Sequence, residues 1–254
     1  MSAEAWYAYA VTAAGHAAPA VPPILPGAAL AALPAGEVAV LASPVPRALF
    51  DREAPGNRTA EPTWIAERAQ AHHGVVAAAA PCLPFAFGAL FSGLAPLLDW
   101  AEERRSVLAE ALRLLGQRAE WSLILREDAA QHAAYLQRTE PTLSELARKR
   151  SGAGPGTAFL LARRLEQLLP AVRAARLEAL REQMHAVADQ CGLAPQPEPR
   201  PERLTMLADT AAIEAARPAL ETLGDSLSGT GVTLELSGPW PAYSFARKAL
   251  EHPA

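Results

Sequence analysis

The chain has 254 residues, of which 50% are hydrophobic and 20% are charged, so it is long enough to bury the cores of two globular domains. The formal net charge of −4, without a long basic stripe, argues against nucleic acid as a partner. The two cysteines, Cys82 and Cys191, lie far apart in the sequence. They predict neither a metal pair nor a disulfide framework, which is typical of a reduced, cytosolic compartment.

An uncharged stretch from Val75 to Leu98 has the length of a membrane span. It is interrupted by residues that break helices, namely Pro81, Pro84, Gly88, Gly93 and Pro96. We therefore expect a helix end, a buried strand and a helix start here, with no membrane span. The N-terminus carries Glu4 and no basic region, so we expect no secretory signal peptide.

The first predicted elements are strands. Residues Ala5–Val11 alternate large and small side chains at the period of two that is typical of a pleated strand. Residues Gly15–Leu33 are rich in Ala, Pro and Gly, which predicts a connection. A second short strand is predicted at Glu37–Ala42, ended by Pro44 and Pro46.

A helix is predicted at Thr63–Ala80, after a polar surface loop at Arg47–Pro62, with the Thr63 hydroxyl as its N-cap. Its apolar face combines residues at helical spacing: Ile65, Ala69, His72 and Val76. Apolar residues at period two then predict a strand at Leu83–Phe91, which includes Phe87 and Gly88.

The next helix is predicted at Pro96–Leu115, with Gly116 as its C-terminal cap. A strand follows at Glu120–Arg126, with Trp121, Leu123 and Leu125 on one side. The order β, β, α, β, α, β fits a split βαβ sheet with one altered connection. We therefore predict an α+β protein whose residues 1–126 form a modified ferredoxin-like domain.

Residues 127–254 predict a second, helix-rich α+β domain. A short helix at Ala129–Arg138 and a link from Pro141 precede a long helix at Thr157–Asp189. The long helix has near-heptad apolar spacing, which favours coiled-coil-like pairing, and Pro170 is expected to kink or break it.

A small sheet completes the predicted second domain. Its strands are expected at Leu204–Ala208 and Val232–Leu236, with a helix between them at Ala211–Leu223. The segment Pro195–Pro201, in which every second residue is proline, is expected to be an exposed, extended linker.

Candidate catalytic residues are few. His72 lies on the buried face of its predicted helix, where a lone histidine is more often a hydrogen-bonded core residue than a base or ligand. His73 lies about 100° around the helix from it, so the two do not form a metal pair. The glycine-rich stretch Ser151–Thr157 has no Lys after Gly156, as a phosphate loop requires. We therefore expect a protein that is not an enzyme and uses no cofactor or metal.

The stretch Leu236–Phe245 concentrates aromatic and rigid residues near the end of the chain. It contains Gly238, Pro239, Trp240, Pro241, Tyr243 and Phe245. Because the prolines restrict the backbone, the rings project from a stiff segment. We predict that Trp240 and Phe245 seal an apolar core, with a partner-binding surface as the alternative.

Several motifs in the same order resemble those of the GvpL/GvpF family of gas vesicle proteins. The most specific is G-P-W-P-x-Y-S-F at residues 238–245. The others are Tyr7-Ala-Tyr9, Trp64-Ile65 with Ala71-His72 and Val75-Val76, Leu83-Pro-Phe-Ala-Phe-Gly-Ala-Leu-Phe91, Glu120-Trp121, and Gly154-Pro-Gly-Thr-Ala-Phe-Leu160.

This resemblance implies a two-domain protein that assembles gas vesicles. It implies contact with the small hydrophobic shell protein GvpA and other gas vesicle accessory proteins, and residence in the vesicle or the cytoplasm. It brings no catalytic residues. The alternative function is that of a soluble ligand-binding or regulatory protein on a ferredoxin-like domain, and an enzyme using His72 is the third.

Two departures from the family motifs remove positive charge. Ala86 stands where the family has Arg, and Ile124 stands where it has Lys. We expect the two positions to share one sheet, so that its surface is more apolar here. If the family uses those charges to bind a partner, this chain is a specialised copy.

Overall fold

The structure is a computed structural model that describes residues 4–50, 58, 61–193, 195–196 and 202–250. The chain forms two compact units, residues 1–120 with 239–254, and residues 121–238. The α+β class is confirmed. The division differs from the expected one, because it falls before Trp121 and because the end of the chain belongs with the first unit.

The first unit contains an antiparallel sheet of five strands. They are β1 (Glu4–Ala13), β2 (Ala31–Ala35), β3 (Val38–Pro46), β4 (Leu83–Pro84) and β5 (Leu90–Phe91). The order is β2-β3-β1-β4, and β5 pairs with β1 farther along the same edge as β4. The strand predicted at Glu120–Arg126 is not part of this sheet.

Two of these strands differ from the prediction. Strand β2 lies partly in the segment expected to be a connection, since its Ala-Pro composition carries no strand signal. Strand β3 continues through Pro44 and Pro46. Prolines fit there because β2 pairs only with residues up to Ala42, and no strand in the described part of the chain pairs with that side of β3 beyond this point.

The helices of the first unit are α1 (Pro62–Ala78), α2 (Leu94–Glu103), α3 (Arg105–Leu115) and α8 (Tyr243–Leu250). Pro62 occupies the first turn of α1 and Thr63 makes no cap, so the predicted cap is wrong. The single helix predicted up to Leu115 is two helices that meet at Arg104, and Gly116 ends the second as predicted.

The segment predicted as one strand at Leu83–Phe91 is two short strands joined by a turn. Gly88 has a φ of +92° in this turn, a conformation that other residues rarely adopt. Phe85 and Phe91 pack against the buried Trp100 of α2, whereas Phe87 is 40% exposed. The period-two pattern therefore identified a buried segment but missed the glycine turn within it.

In its described residues, the second unit combines a four-stranded sheet with four helices. The strands are β6 (Ala119–Glu127), β7 (Pro195–Gln196), β8 (Arg203–Ala208) and β9 (Val232–Trp240), in the order β7-β8-β6-β9. The helices are α4 (Ala129–Thr139), α5 (Pro141–Ser151), α6 (Pro155–Gln190) and α7 (Thr210–Ser226). Pro141 begins a helix capped by the Glu140 carboxylate, so the predicted link is wrong.

Two predictions that rested on prolines of this unit, Pro170 and Pro195, can be compared with the structure. Helix α6 continues through Pro170, which is exposed, so water can satisfy the carbonyl that loses its donor. Pro195 pairs with β8 at the edge of the sheet, where the expected linker begins. Residues 197–201 of that linker lie outside the described residues.

Two apolar clusters are seen among the described residues of the second unit. One joins β6, α7 and the C-terminal half of α6 around residues such as Trp121, Leu123, Leu180, Met184 and Ile213. The other joins α4, α5 and the first half of α6 through Leu136, Leu143 and Leu165. The near-heptad stripe of α6 thus packs within its own unit.

None of the helices in the described part of the chain has both the length and the apolar character that a membrane crossing requires. The uncharged stretch Val75–Leu98 is divided among α1, β4, β5 and α2.

Candidate functional site

The predicted motif residues do not form one site. In the first unit, four of them lie close together near β1, namely His72, Phe87, Gly88 and Tyr243. Trp121 belongs to the core of the second unit, where it is 6% exposed.

The hydroxyl of Tyr7 links the histidine of α1 to the glycine turn. It accepts a hydrogen bond from the Gly88 N–H at 3.0 Å and lies 3.0 Å from His72 Nδ1. Because its one hydrogen has no other acceptor among the described residues, we assign that hydrogen to a bond with Nδ1. The neutral imidazole then carries its own proton on Nε2.

Aromatic rings enclose His72, which is 2% exposed. Tyr9 stacks on it at 5.8 Å between ring centroids, and Phe87 meets it edge-on at 5.9 Å. Tyr243 lies 6.4 Å away at a small angle. Burial lowers the pKa of His72 to about 4, and the nearby backbone of Phe85 opposes this only in part. The ring is therefore neutral at pH 7.

Tyr9 fixes a different segment through its hydroxyl group. It donates to Ser43 Oγ at 3.0 Å and accepts the Ile24 N–H at 2.8 Å, which ties the connection after β1 to the sheet. Both tyrosines of the Tyr7-Ala-Tyr9 motif are fully buried. The sequence pattern placed both tyrosines on a strand but did not predict these bonds. It did contain an indication of them, because a tyrosine ring on the core face of a strand carries a hydroxyl group that usually needs a hydrogen-bond partner.

The C-terminal motif leaves β9 at Trp240 and enters α8 at Tyr243. The Glu120 carboxylate accepts the Ser244 N–H at 2.8 Å and the Ser244 hydroxyl at 3.1 Å. A carboxylate at a helix N-terminus satisfies free N–H groups and complements the helix dipole. Glu120 and Ser244, which sequence analysis noted only as motif letters, thus fix the start of α8.

The two rings predicted to seal the core differ from each other. Trp240 is 46% exposed and its ring lies 5.9 Å from that of His73, so it is not a core residue. Phe245 is half-buried. Tyr243, which carried no such prediction, packs against the core, and burial raises its pKa to about 12. The chain changes from strand to helix between Trp240 and Tyr243, so the regular alternation of side chains along one extended segment does not continue across the motif.

An apolar groove of about 500 Å³ lies between the glycine turn and α8. One wall consists of Pro84, Phe85, Ala86, Ala89, Leu90 and Phe91, and the other of Tyr243, Ser244, Arg247 and Leu250. Ala86, which replaces the family's Arg, is exposed at this groove. Ile124, which replaces the Lys, is buried in the second unit, so the two positions do not share a sheet.

A charged network in the second unit was not predicted. The Glu127 carboxylate contacts Nδ1 of the buried His132 and both Nε and Nη2 of Arg173. The Arg173 guanidinium and then His132 hold the pKa of Glu127 below its usual range. The network joins the end of β6 to α4 and α6, which fits a structural role.

The fold and these sites define an α+β protein whose motif residues hold packed elements together or line a surface groove. The chain belongs to the GvpL/GvpF family, since residues 5–247 match the family described as "Gas vesicle synthesis protein GvpL/GvpF". It is thus a member of a gas vesicle protein family, and the resemblance inferred from the motifs is confirmed.

Curated relatives carry gas vesicle names. Gas vesicle protein L2 from Halobacterium salinarum is 30% identical over 177 residues, which cover 65% of this chain and 63% of that protein. Gas vesicle protein L from a Streptomyces species is 29% identical over 230 residues, which cover 85% of this chain and 82% of that protein. The match therefore spans less than two thirds of the first relative.

Solved structures share the fold. The crystal structure of the gas vesicle protein GvpF from an Anabaena species has a TM-score of 0.63 at 13% identity, covering 98% of this chain and 100% of that one. That of GvpF from Microcystis aeruginosa has a TM-score of 0.56 at 13% identity, covering 95% and 98%.

Proposed function

We propose that this chain is a non-catalytic assembly or minor structural protein of gas vesicles, which acts by direct contact with the small hydrophobic shell protein GvpA. Membership of the family supports the gas vesicle role. The state of His72 supports a non-catalytic role, because a buried ring with a pKa of about 4 is a weak base near neutral pH.

The exposure of Trp240 is the observation that carries the proposed contact. The most specific motif of the chain places a tryptophan that is 46% exposed at the surface of the first unit. Exposed aromatic residues are enriched at protein interfaces, where tryptophan is among the commonest energetic hot spots. This surface therefore suits a partner that is itself apolar, as a hydrophobic shell protein is.

Trp240→Ala tests the proposal when the melting temperature and the capture of GvpA in a pull-down are both measured. We expect capture to fall strongly while the melting temperature changes by a few degrees, because the residue is only half-buried. Val107→Ala is the control for loss of an exposed apolar side chain outside the family motifs, since Val107 is 57% exposed on α3. Wild-type protein that captures no GvpA would contradict the proposed partner. A large drop in melting temperature would indicate that Trp240 stabilises the core of the fold.

A further inference from the structure

We propose that the groove between the glycine turn and α8 binds an extended, apolar segment of a partner protein that carries one acidic side chain. The inference rests on the proposed function for the identity of the partner. It adds a second contact surface to the exposed Trp240, together with the chemistry of the segment that is bound there.

The edge of the sheet supplies the backbone groups for an extended segment. The Ala8 N–H donates to the Ala89 carbonyl, so the neighbouring pair of Tyr7 and Leu90 is of the non-hydrogen-bonded kind. The N–H and C=O of Leu90 therefore point away from β1. Among the described residues no strand pairs with that side of β5. An added strand can use both groups.

The lining of the groove selects apolar side chains. Eight of the lining residues are apolar or aromatic, and the exceptions are Ser244 and Arg247. The volume of about 500 Å³ lies within the range of sites that bury a bound group. Ala86 is an exposed part of the groove wall, and its small side chain leaves room beside it for an apolar group.

Arg247 is the reason that we expect an acidic side chain on the bound segment. Exposed arginines on helices in the described part of the chain pair repeatedly with a glutamate three residues earlier, as at Arg105–Glu102, Arg113–Glu110, Arg181–Glu178 and Arg217–Glu214. Ser244 stands at that place before Arg247, and no described carboxylate pairs with Arg247. A partner carboxylate at the groove would therefore lie close to the positive charge of Arg247.

The test measures binding of short overlapping peptides from GvpA to the full chain. Arg247→Glu should weaken the best-binding peptide about tenfold, and a peptide with Lys in place of its acidic residue should regain affinity for this variant. Arg164→Glu, on an exposed part of α6, is the control for charge and should change affinity less than about twofold. Recovery of affinity by the Lys peptide would show that the peptide contacts the side chain at position 247 directly. This conclusion does not depend on Glu251, which lies outside the described residues.

A second variant tests whether a large side chain placed in the groove prevents the peptide from binding. Ala86→Trp fills an exposed position in the wall and should weaken the peptide at least about tenfold, whereas Ala95→Trp, exposed on α2, should not. If intact GvpA is captured but both groove variants bind as wild type does, the groove inference is overturned and the proposed function stands. If Ala86→Trp alters only self-association or binding of a small apolar probe, the inference is also overturned.

Discussion

Gly231, at the start of β9, offers the sharpest test of the packing in the second unit. Its carbonyl accepts the Asp128 N–H at 2.8 Å, so it holds the turn between β6 and α4. A Cβ atom at this position would lie 2.2 Å from the His132 nitrogen and 2.8 Å from its Cα. Both atoms are backbone, so a side-chain rotation cannot relieve the overlap.

Gly229 provides a matched control two residues earlier. Its φ is +71°, close to the +79° of Gly231, and a Cβ there would meet nothing within 4 Å. Alanine at either position pays the strain of a left-handed backbone, about 1–2 kcal/mol. Alanine at Gly231 must also push α4 away from β9. We expect the total loss in the free energy of unfolding to exceed about 4 kcal/mol for this variant.

The free energy of unfolding in urea distinguishes the two variants. A domain holds about 5–15 kcal/mol in total, so Gly231→Ala should remove a large part of it, while Gly229→Ala should lose only the strain of about 1–2 kcal/mol. A loss of equal size in both variants would show that backbone strain, and not contact with α4, is what Gly231 relieves.

Further predictions concern the first unit. Stability should be full above pH 6.5 and fall by about 2 kcal/mol at pH 5, because the His72 pKa of about 4 in the fold lies below its value in the unfolded chain; His72→Gln should flatten this slope in pH-dependent melts. Tyr7→Phe should cost about 1–3 kcal/mol in urea unfolding by removing the partner of the buried His72 ring and of the partly buried Gly88 N–H, and Tyr243→Phe less than about 0.5, since its hydroxyl bonds to no described residue. Glu120→Ala should cost about 1 kcal/mol and speed amide exchange in α8, and unchanged exchange there would contradict its role as a cap.

The sequence allowed the long amphipathic elements to be predicted closely. Helix α6 was expected at Thr157–Asp189 and runs from Pro155 to Gln190, because its apolar spacing persists over many turns. The strand at Glu120–Arg126 was also located correctly, with Trp121 facing the core. Local periodicity decides such features, and neighbouring residues contain all the information that they require.

Pairing between distant segments could not be predicted in the same way. Strand β6 joins β8, about eighty residues later, and its own pattern does not specify that partner. The bond between Tyr7 and His72 joins positions 65 residues apart. A lone buried histidine signals that some partner exists, but only the fold selects which one.

The C-terminal motif shows why the two interpretations of its aromatic residues, core or partner-binding, could not be separated from the sequence. Tyr243 faces inward and Ser244 is tied to Glu120, whereas Trp240 and Arg247 are exposed. The change from strand to helix within the motif separates these roles over a few residues. Tyr243→Ala should therefore lower stability and capture of GvpA together, while Arg247→Glu should lower capture at an unchanged melting temperature. Parallel loss of both properties in Arg247→Glu would mean that α8 serves the fold alone.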